Sequence, residues 1–361
     1  MQGRRVKLES MDFKPMSHPQ TPASLGYRLP AEWEPHAATW LSWPHNRETW
    51  PGRFDAIPPL WAELARTLSR FEPVHVLAGG EDAMREARAR VGDLAGVTLH
   101  DVATNDAWIR DHGPTFLAGP PHLPPALVDW RYNAWGGKYP PFDLDNLVPE
   151  RIATATGRRR FEPGIVLEGG AIDANGRGTI LAAEDCLTDA NRNPGRSRRE
   201  IEQYLADYLG ARHVVWLRGG IAGDDTDGHV DQLARFVGPA TVVASLEKRA
   251  GDENYAVLRA NYERLASAVD QDGRPLEVIA LPVPQPIRCQ GQRLPAGYAN
   301  FYIANGLVVV PQFDDPADRE AIEILARFFP DREVRGLPAV DLAWGLGAYH
   351  CVTMQEPAEG A

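Results

Sequence analysis

The sequence predicts an α/β chain built from repeated units whose strand ends meet at one mouth. Amphipathic helices and short apolar strands alternate along it. Polar residues flanked by glycine recur at strand ends: Asp111 to Glu168 spans 57 residues, Glu168 to His229 spans 61, and Asn300 to Cys351 spans 51. At that interval His36 to Cys351 holds about five units. Such a period marks radial or solenoid repetition, although the units share little residue identity. A doubly wound sheet is the alternative, but no phosphate-binding glycine fingerprint follows the first strand.

Ile57, Leu60, Trp61, Leu64 and Leu68 mark an amphipathic helix, followed by a strand over 74–77. Residues 81–91 read as helical and 97–99 as extended. The clearest helix is 198–209. Ser197 and Glu200 form a capping box, Ile201, Tyr204, Leu205, Tyr208 and Leu209 make one apolar face, and Gly210 ends it. A strand over 213–217 follows. Leu258, Tyr262, Leu265 and Val269 line another helix, and Ile322, Leu325, Phe328 and Phe329 a last one before Pro330. Strands at 236–237, 241–244 and 307–310 complete the pattern, with the Pro-rich stretch 281–286 as a loop.

A chain of 361 residues can bury a large core. Its net charge of −11 argues against nucleic acid or an anionic membrane as the main partner. Three widely spaced cysteines argue against a disulfide framework and for a reducing compartment. No apolar run approaches the roughly 18–20 residues of a membrane span. Residues 1–26 read as a polar, flexible leader in which Met16 is an alternative start, and 27–361 as one catalytic domain. The expected location is the cytoplasm, and a homodimer is an open possibility.

The candidate chemistry lies at four stations. Cys351 follows a glycine-rich turn (Gly345-Leu346-Gly347) and sits beside His350. In an exposed, electropositive turn such a thiol becomes a nucleophilic thiolate; Cys186 and Cys289 read as structural. Asp111 stands in Trp108-Ile109-Arg110-Asp111-His112-Gly113-Pro114, and Glu168 at the end of Ile165-Val166-Leu167. His229 and Asp231 are two apart, so in an extended segment both face one pocket. Singly, each has a plain structural reading: a helix cap or an Arg110 partner for Asp111, a solvated charge for Glu168, a satisfied core histidine for His229. A cysteine, a histidine and three carboxylates at glycine-flanked strand ends are harder to dismiss together.

With these motifs stand Pro30-Ala31-Glu32-Trp33-Glu34-Pro35-His36, Trp40-Leu41-Ser42-Trp43-Pro44, Asn133-Ala134-Trp135-Gly136-Gly137 and Gly223-Asp224-Asp225-Thr226-Asp227-Gly228-His229-Val230-Asp231. From Pro30 to Pro357 the chain resembles the agmatine deiminase family, within the wider guanidine-modifying group that includes arginine and peptidylarginine deiminases. The resemblance implies a five-bladed α/β propeller of ββαβ units. It also implies hydrolysis of agmatine to N-carbamoylputrescine and ammonia, on the route to putrescine, with no metal or organic cofactor. By the same resemblance Cys351 is the nucleophile, His229 the general acid and base, Glu168 its orienting carboxylate, and Asp111 and Asp231 the pair that holds the guanidinium. Carboxylates suit that cation because its planar fork of N–H donors binds them bidentately.

The chain departs from the family pattern before its His-Cys pair, where Gly345-Leu346-Gly347-Ala348-Tyr349 replaces a richer glycine run, and in a shortened segment after Trp135. Both leave the identity of the substrate's far end open. Trp135 is a candidate aromatic rest for a distal ammonium, and Lys138 is expected to point outward. Free or peptidyl arginine is the alternative substrate. A metal-dependent agmatinase-like ureohydrolase is the rival mechanism, since Asp227, His229 and Asp231 have the D-x-H-x-D form of a manganese ligand set. Its second element, faintly matched by Asp143 and Asp145, falls before the first instead of after it. A non-catalytic polyamine-binding protein has no need of a Cys-His pair, and a thiol protease lacks its asparagine partner.

Overall fold

The helix at Arg198–Leu209 begins at a complete capping box between Ser197 and Glu200 and ends on Gly210 in the left-handed region, φ 72°. Local sequence suffices there, because both helix ends have their orphan backbone groups satisfied from within six residues. The computed structural model describes residues 20–360. Residues 1–19, with Met16 and most of the expected leader, and residue 361 lie outside the described residues. Of the leader's remainder, Ala23–Leu25 form a 3-10 turn packed on that same helix.

Five mixed sheets follow one another along the chain, and four share one plan: two antiparallel strands, a helix, then a third strand parallel to the second. Thr115–Leu117, Ala126–Val128 and Arg159–Phe161 make one. Ile172–Ala174, Thr179–Ala183 and His213–Leu217 make the next. Ala234–Gly238, Thr241–Ser245 and Glu277–Leu281 make the third. Tyr302–Ala304, Leu307–Gln312 and Glu333–Pro338 make the fourth. The fifth joins the two ends of the chain. Met354–Pro357 pairs antiparallel with His36–Ser42, which continues parallel through Val74–Leu77 to Val97–His100. The middle strands are buried along nearly their whole length, as in Leu307–Pro311, so they read as apolar runs and not as alternation.

Each unit opens with a short turn directly before its first strand. These turns are Ile109–His112, Gly169–Ala171, Val230–Leu233, Tyr298–Asn300 and the segment ending at Cys351. The turn at Val230–Leu233 packs on both Gly169–Ala171 and Tyr298–Asn300, and Ile109–His112 packs on Gly169–Ala171. Repetition therefore delivers one polar station per unit to a shared centre.

Two expected helices end early. Tyr255–Ala266 stops before Val269, which bridges to Pro275, and Ala317–Ala326 stops before Phe328 and Phe329. Two local expectations at the stations also fail. Residues 165–167 form no strand, only an isolated bridge from Val166 to Arg131. Asp231 lies in a helical turn with His229 as its N-cap, because Gly228 at φ 95° turns the chain just before it.

Candidate active site

Asp111, Glu168, His229, Asp231 and Cys351 come together at the packed turns. Gly170 is what lets them meet. A Cβ there would lie 2.4 Å from His229 Nδ1, 3.0 Å from Asp111 Oδ1 and 3.1 Å from Asp231 Oδ2. Any larger residue would occupy the space the three side chains share.

Cys351 is only 6 % exposed. Its Sγ receives a hydrogen bond from Asn300 Nδ2 at 3.1 Å and lies 3.6 Å from Asp231 Oδ2. The expected exposed, electropositive turn is therefore corrected. Burial, then the charges of Asp231 and Asp111, hold the thiol well above its ordinary pKa, so the free protein carries it protonated.

Asp111 Oδ1 accepts the Gly170 N–H and Oδ2 accepts the indole N–H of Trp135, each at 3.0 Å. Burial raises its pKa, and the charges of Glu168 and Asp231 add to this. Asp231 Oδ2 receives His350 Nδ1 at 2.8 Å, while its buried Oδ1 has no hydrogen-bond partner among the described residues. Burial would raise Asp231 too, but His350 brings it below the usual range. An ionised carboxylate with one oxygen held and one free is an open acceptor for a cationic donor.

His229 Nε2 meets Glu168 Oε2 at 3.0 Å, and its Nδ1 lies 3.8 Å from Asp111 Oδ1. Burial alone would lower its pKa, but Asp111 and the hydrogen bond to Glu168 push it well above the ordinary value. Glu168 would likewise rise on burial, and is held low by His229 and by Arg192, whose Nε donates to Oε1 at 2.7 Å. Cys186 donates its thiol to the same carboxylate at 3.2 Å, and burial pushes that thiol up to about 12.

Arg192, Cys186 and Asn300 were not among the sequence candidates. Asn300 entered only as a mark of the repeat spacing, and Arg192 sits in a turn-rich segment with no further signal. From Arg192 a chain of contacts runs outward: Nη1 donates to Asp227 Oδ2 at 2.7 Å, and Asp227 receives Lys138 Nζ at 2.9 Å. Asp227 is thus turned away from His229 and Asp231, and the three do not form the ligand set that D-x-H-x-D suggests. Asp145 is likewise engaged, accepting the Asn105 and Asp106 N–H groups.

A cavity of about 420 Å³ opens over Cys351, lined among others by Trp108, Asp111, Trp135, Leu346 and Gly347. Lys138 lines it too, against the outward direction expected from sequence, because Asp227 and the Asp225 carbonyl (2.6 Å from Nζ) hold the ammonium at the rim. Ala134, Trp135, Asp227 and Leu346 all have positive φ, between 52° and 73°, without being glycine. Such strain persists only where surrounding structure imposes it, and it gathers at binding sites.

A profile of the Porphyromonas-type peptidyl-arginine deiminase family matches residues 28–357. The chain is 38% identical over 367 residues to the agmatine deiminase of Pseudomonas aeruginosa strain LESB58, covering 95% of this chain and 99% of that one. The chain belongs to the agmatine deiminase family. Its mixed α/β fold is that of solved family members. An Enterococcus faecalis agmatine deiminase superposes with a TM-score of 0.89 at 33% identity, covering 94% of this chain and 98% of its own. A cysteine-to-serine agmatine deiminase of C. jejuni with substrate bound superposes at 0.84 and 29% identity, covering 92% of this chain and 97% of its own. Among the described residues no helix is long and apolar enough to cross a membrane.

Proposed function

We propose that this agmatine deiminase family member hydrolyses agmatine to N-carbamoylputrescine and ammonia, through a covalent intermediate on Cys351. The observation that carries the reading is the pair of buried carboxylates beside the thiol. Asp231 reaches within 3.6 Å of Sγ with its other oxygen free, and Asp111 lines the cavity that opens over Cys351. A guanidinium gripped on two edges presents its central carbon to Cys351, and the two carboxylates keep the positive charge on the group under attack.

The electrostatics give an order of events. In the free protein burial, and then the carboxylates, keep the thiol protonated. The substrate's charge compensates them, the thiol proton passes to solvent in the cavity, and the S–C bond forms. His229 gives a proton to the leaving nitrogen as the C–N bond breaks, and ammonia departs. The now neutral His229 takes a proton from water, which attacks the S-alkylthiouronium; the C–S bond breaks, the hydroxyl proton of the adduct returns to the thiolate, and the ureido product leaves. Glu168, anchored by Arg192, orients the imidazole throughout.

We also read the five sheets as blades of an α/β propeller within one catalytic unit, 27–361. Their shared order, and the pairing of the last strand with the first, support it.

Deimination of free or peptidyl arginine is the second reading, favoured by the description of the matching family profile and by Lys138 at the rim. The deciding measurement is kcat/KM for agmatine, arginine and a peptide ending in arginine in one buffer. Agmatine should be preferred; a better arginine or peptide value overturns the substrate and spares the mechanism. Ammonia should be released with EDTA present, and urea as product would return the case to a ureohydrolase.

A further inference from the structure

The Glu32 motif and His350 have no part in the reaction as described, yet they meet directly behind the site. His350, 1 % exposed, sets Nδ1 at 2.8 Å from Asp231 Oδ2 and Nε2 at 2.9 Å from Glu32 Oε2. Glu32 also faces Arg235 Nη2 at 2.9 Å and Arg110 Nη2 at 3.4 Å, and accepts the Ile303 N–H at 2.8 Å. Arg235 turns its Nε to Asp173 at 2.7 Å. This buried cluster holds three carboxylates (Glu32, Asp173, Asp231) and two guanidinium groups (Arg110, Arg235), so it lacks one positive charge.

A carboxylate only accepts hydrogen bonds, and a neutral imidazole donates only one. Both ring contacts of His350 are satisfied together when each nitrogen carries a proton. Burial would raise Glu32, but the guanidinium groups of Arg235 and Arg110 lower it, and it accepts the Ile303 N–H as a carboxylate does.

We propose that His350 is a standing imidazolium, clamped between Glu32 and Asp231, that positions Asp231 for the guanidinium of the substrate. It supplies the missing charge of the buried cluster. It occupies Oδ2, the oxygen 3.6 Å from Cys351 Sγ, which leaves Oδ1 as the free acceptor, and it fixes the carboxylate's rotation without touching the substrate. His350 is a positioning residue, and its anchor is Glu32, 318 residues away in sequence. The inference rests on the proposed role of Asp231, and its first test does not.

That first test is the side-chain ¹⁵N NMR spectrum of the free protein at neutral pH. Both His350 nitrogens should carry protons; a neutral tautomer would overturn the proposal whatever the substrate proves to be. The second is a double-mutant cycle. His350→Gln should lower kcat/KM for agmatine by roughly 30-fold or more, mainly through KM. In an Asp231→Asn background the same change should cost no more than roughly 3-fold. Equal losses in both backgrounds would mean a merely structural histidine. Should His350→Gln fail to fold, Glu32→Gln releases the far end of the clamp and answers the same question: its loss should also vanish in Asp231→Asn.

Discussion

The indole N–H of Trp135 donates to Asp111 Oδ2 at 3.0 Å, from a residue held at φ 55° and ψ 51°. The side chain expected to shelter a distal ammonium thus also orients a proposed guanidinium-binding carboxylate. A hydrogen bond to a charged group contributes about 1.5–3 kcal/mol. Trp135→Phe keeps an aromatic face and removes the donor, so kcat/KM for agmatine should fall roughly 10- to 150-fold. A nearly silent Phe variant beside a damaged Trp135→Leu variant would assign the residue to cation–π contact instead.

The three thiols should label in an order set by burial. Sequence alone puts Cys351 first. In the fold Cys289 is partly exposed while Cys351 and Cys186 are buried, and both buried thiols are raised. Iodoacetamide should modify Cys289 first in the free protein, then Cys351 at a rate that climbs with pH, and Cys186 last. Peptide mapping over time reads this directly. Cys351→Ala should release no ammonia and keep the wild-type circular dichroism; turnover in that variant would end the covalent mechanism.

Glu168→Gln and His229→Ala should separate orientation from proton transfer. His229→Ala should be nearly inactive. Glu168→Gln should retain more activity, since it misorients the ring and weakens its cationic form without removing it, yet it should be the less stable protein. It removes one charge from the buried pair with Arg192, a change that costs about 3–5 kcal/mol where no other partner remains. Asp227 still faces Arg192, so the loss should fall below that range. Thermal melts and ammonia assays on both variants test the division.

The pH dependence follows from two raised groups. Burial lifts Asp111, so the acid limb of kcat/KM should lie above the ordinary aspartate value of about 3.9. His229 stays protonated above the ordinary histidine value of about 6.5, so the acid form should persist through neutral pH. For stability the sign is fixed by the same shift. The folded state binds this proton more tightly, so the contribution is complete below about pH 6.5 and is lost as pH rises through the raised value. His229→Gln should flatten the alkaline fall in Tm. An unchanged slope would remove His229 as its cause.

Elements whose determinants are local were legible in the sequence. The capping box at Ser197 and Glu200 and the helix at 81–91 each satisfy their backbone within a few residues, while the strand at 74–77 shows as an apolar run although its partners are 39–42 and 97–100. The three-residue strands at 115–117, 126–128 and 172–174 were not, since three residues show no period and each exists only through its partner in the sheet. The four polar stations were legible as residue types and spacings; what each one meets was not. The chemistry of Cys351 depends on Asp231, 120 positions earlier, on Asp111 and on Asn300; Glu168 depends on Arg192, and His350 on Glu32. Sequence chose the groups. Their charges became decisive only once folding removed water from between them, because burial and a few ångströms of separation, not chain distance, set the strength of a Coulomb interaction.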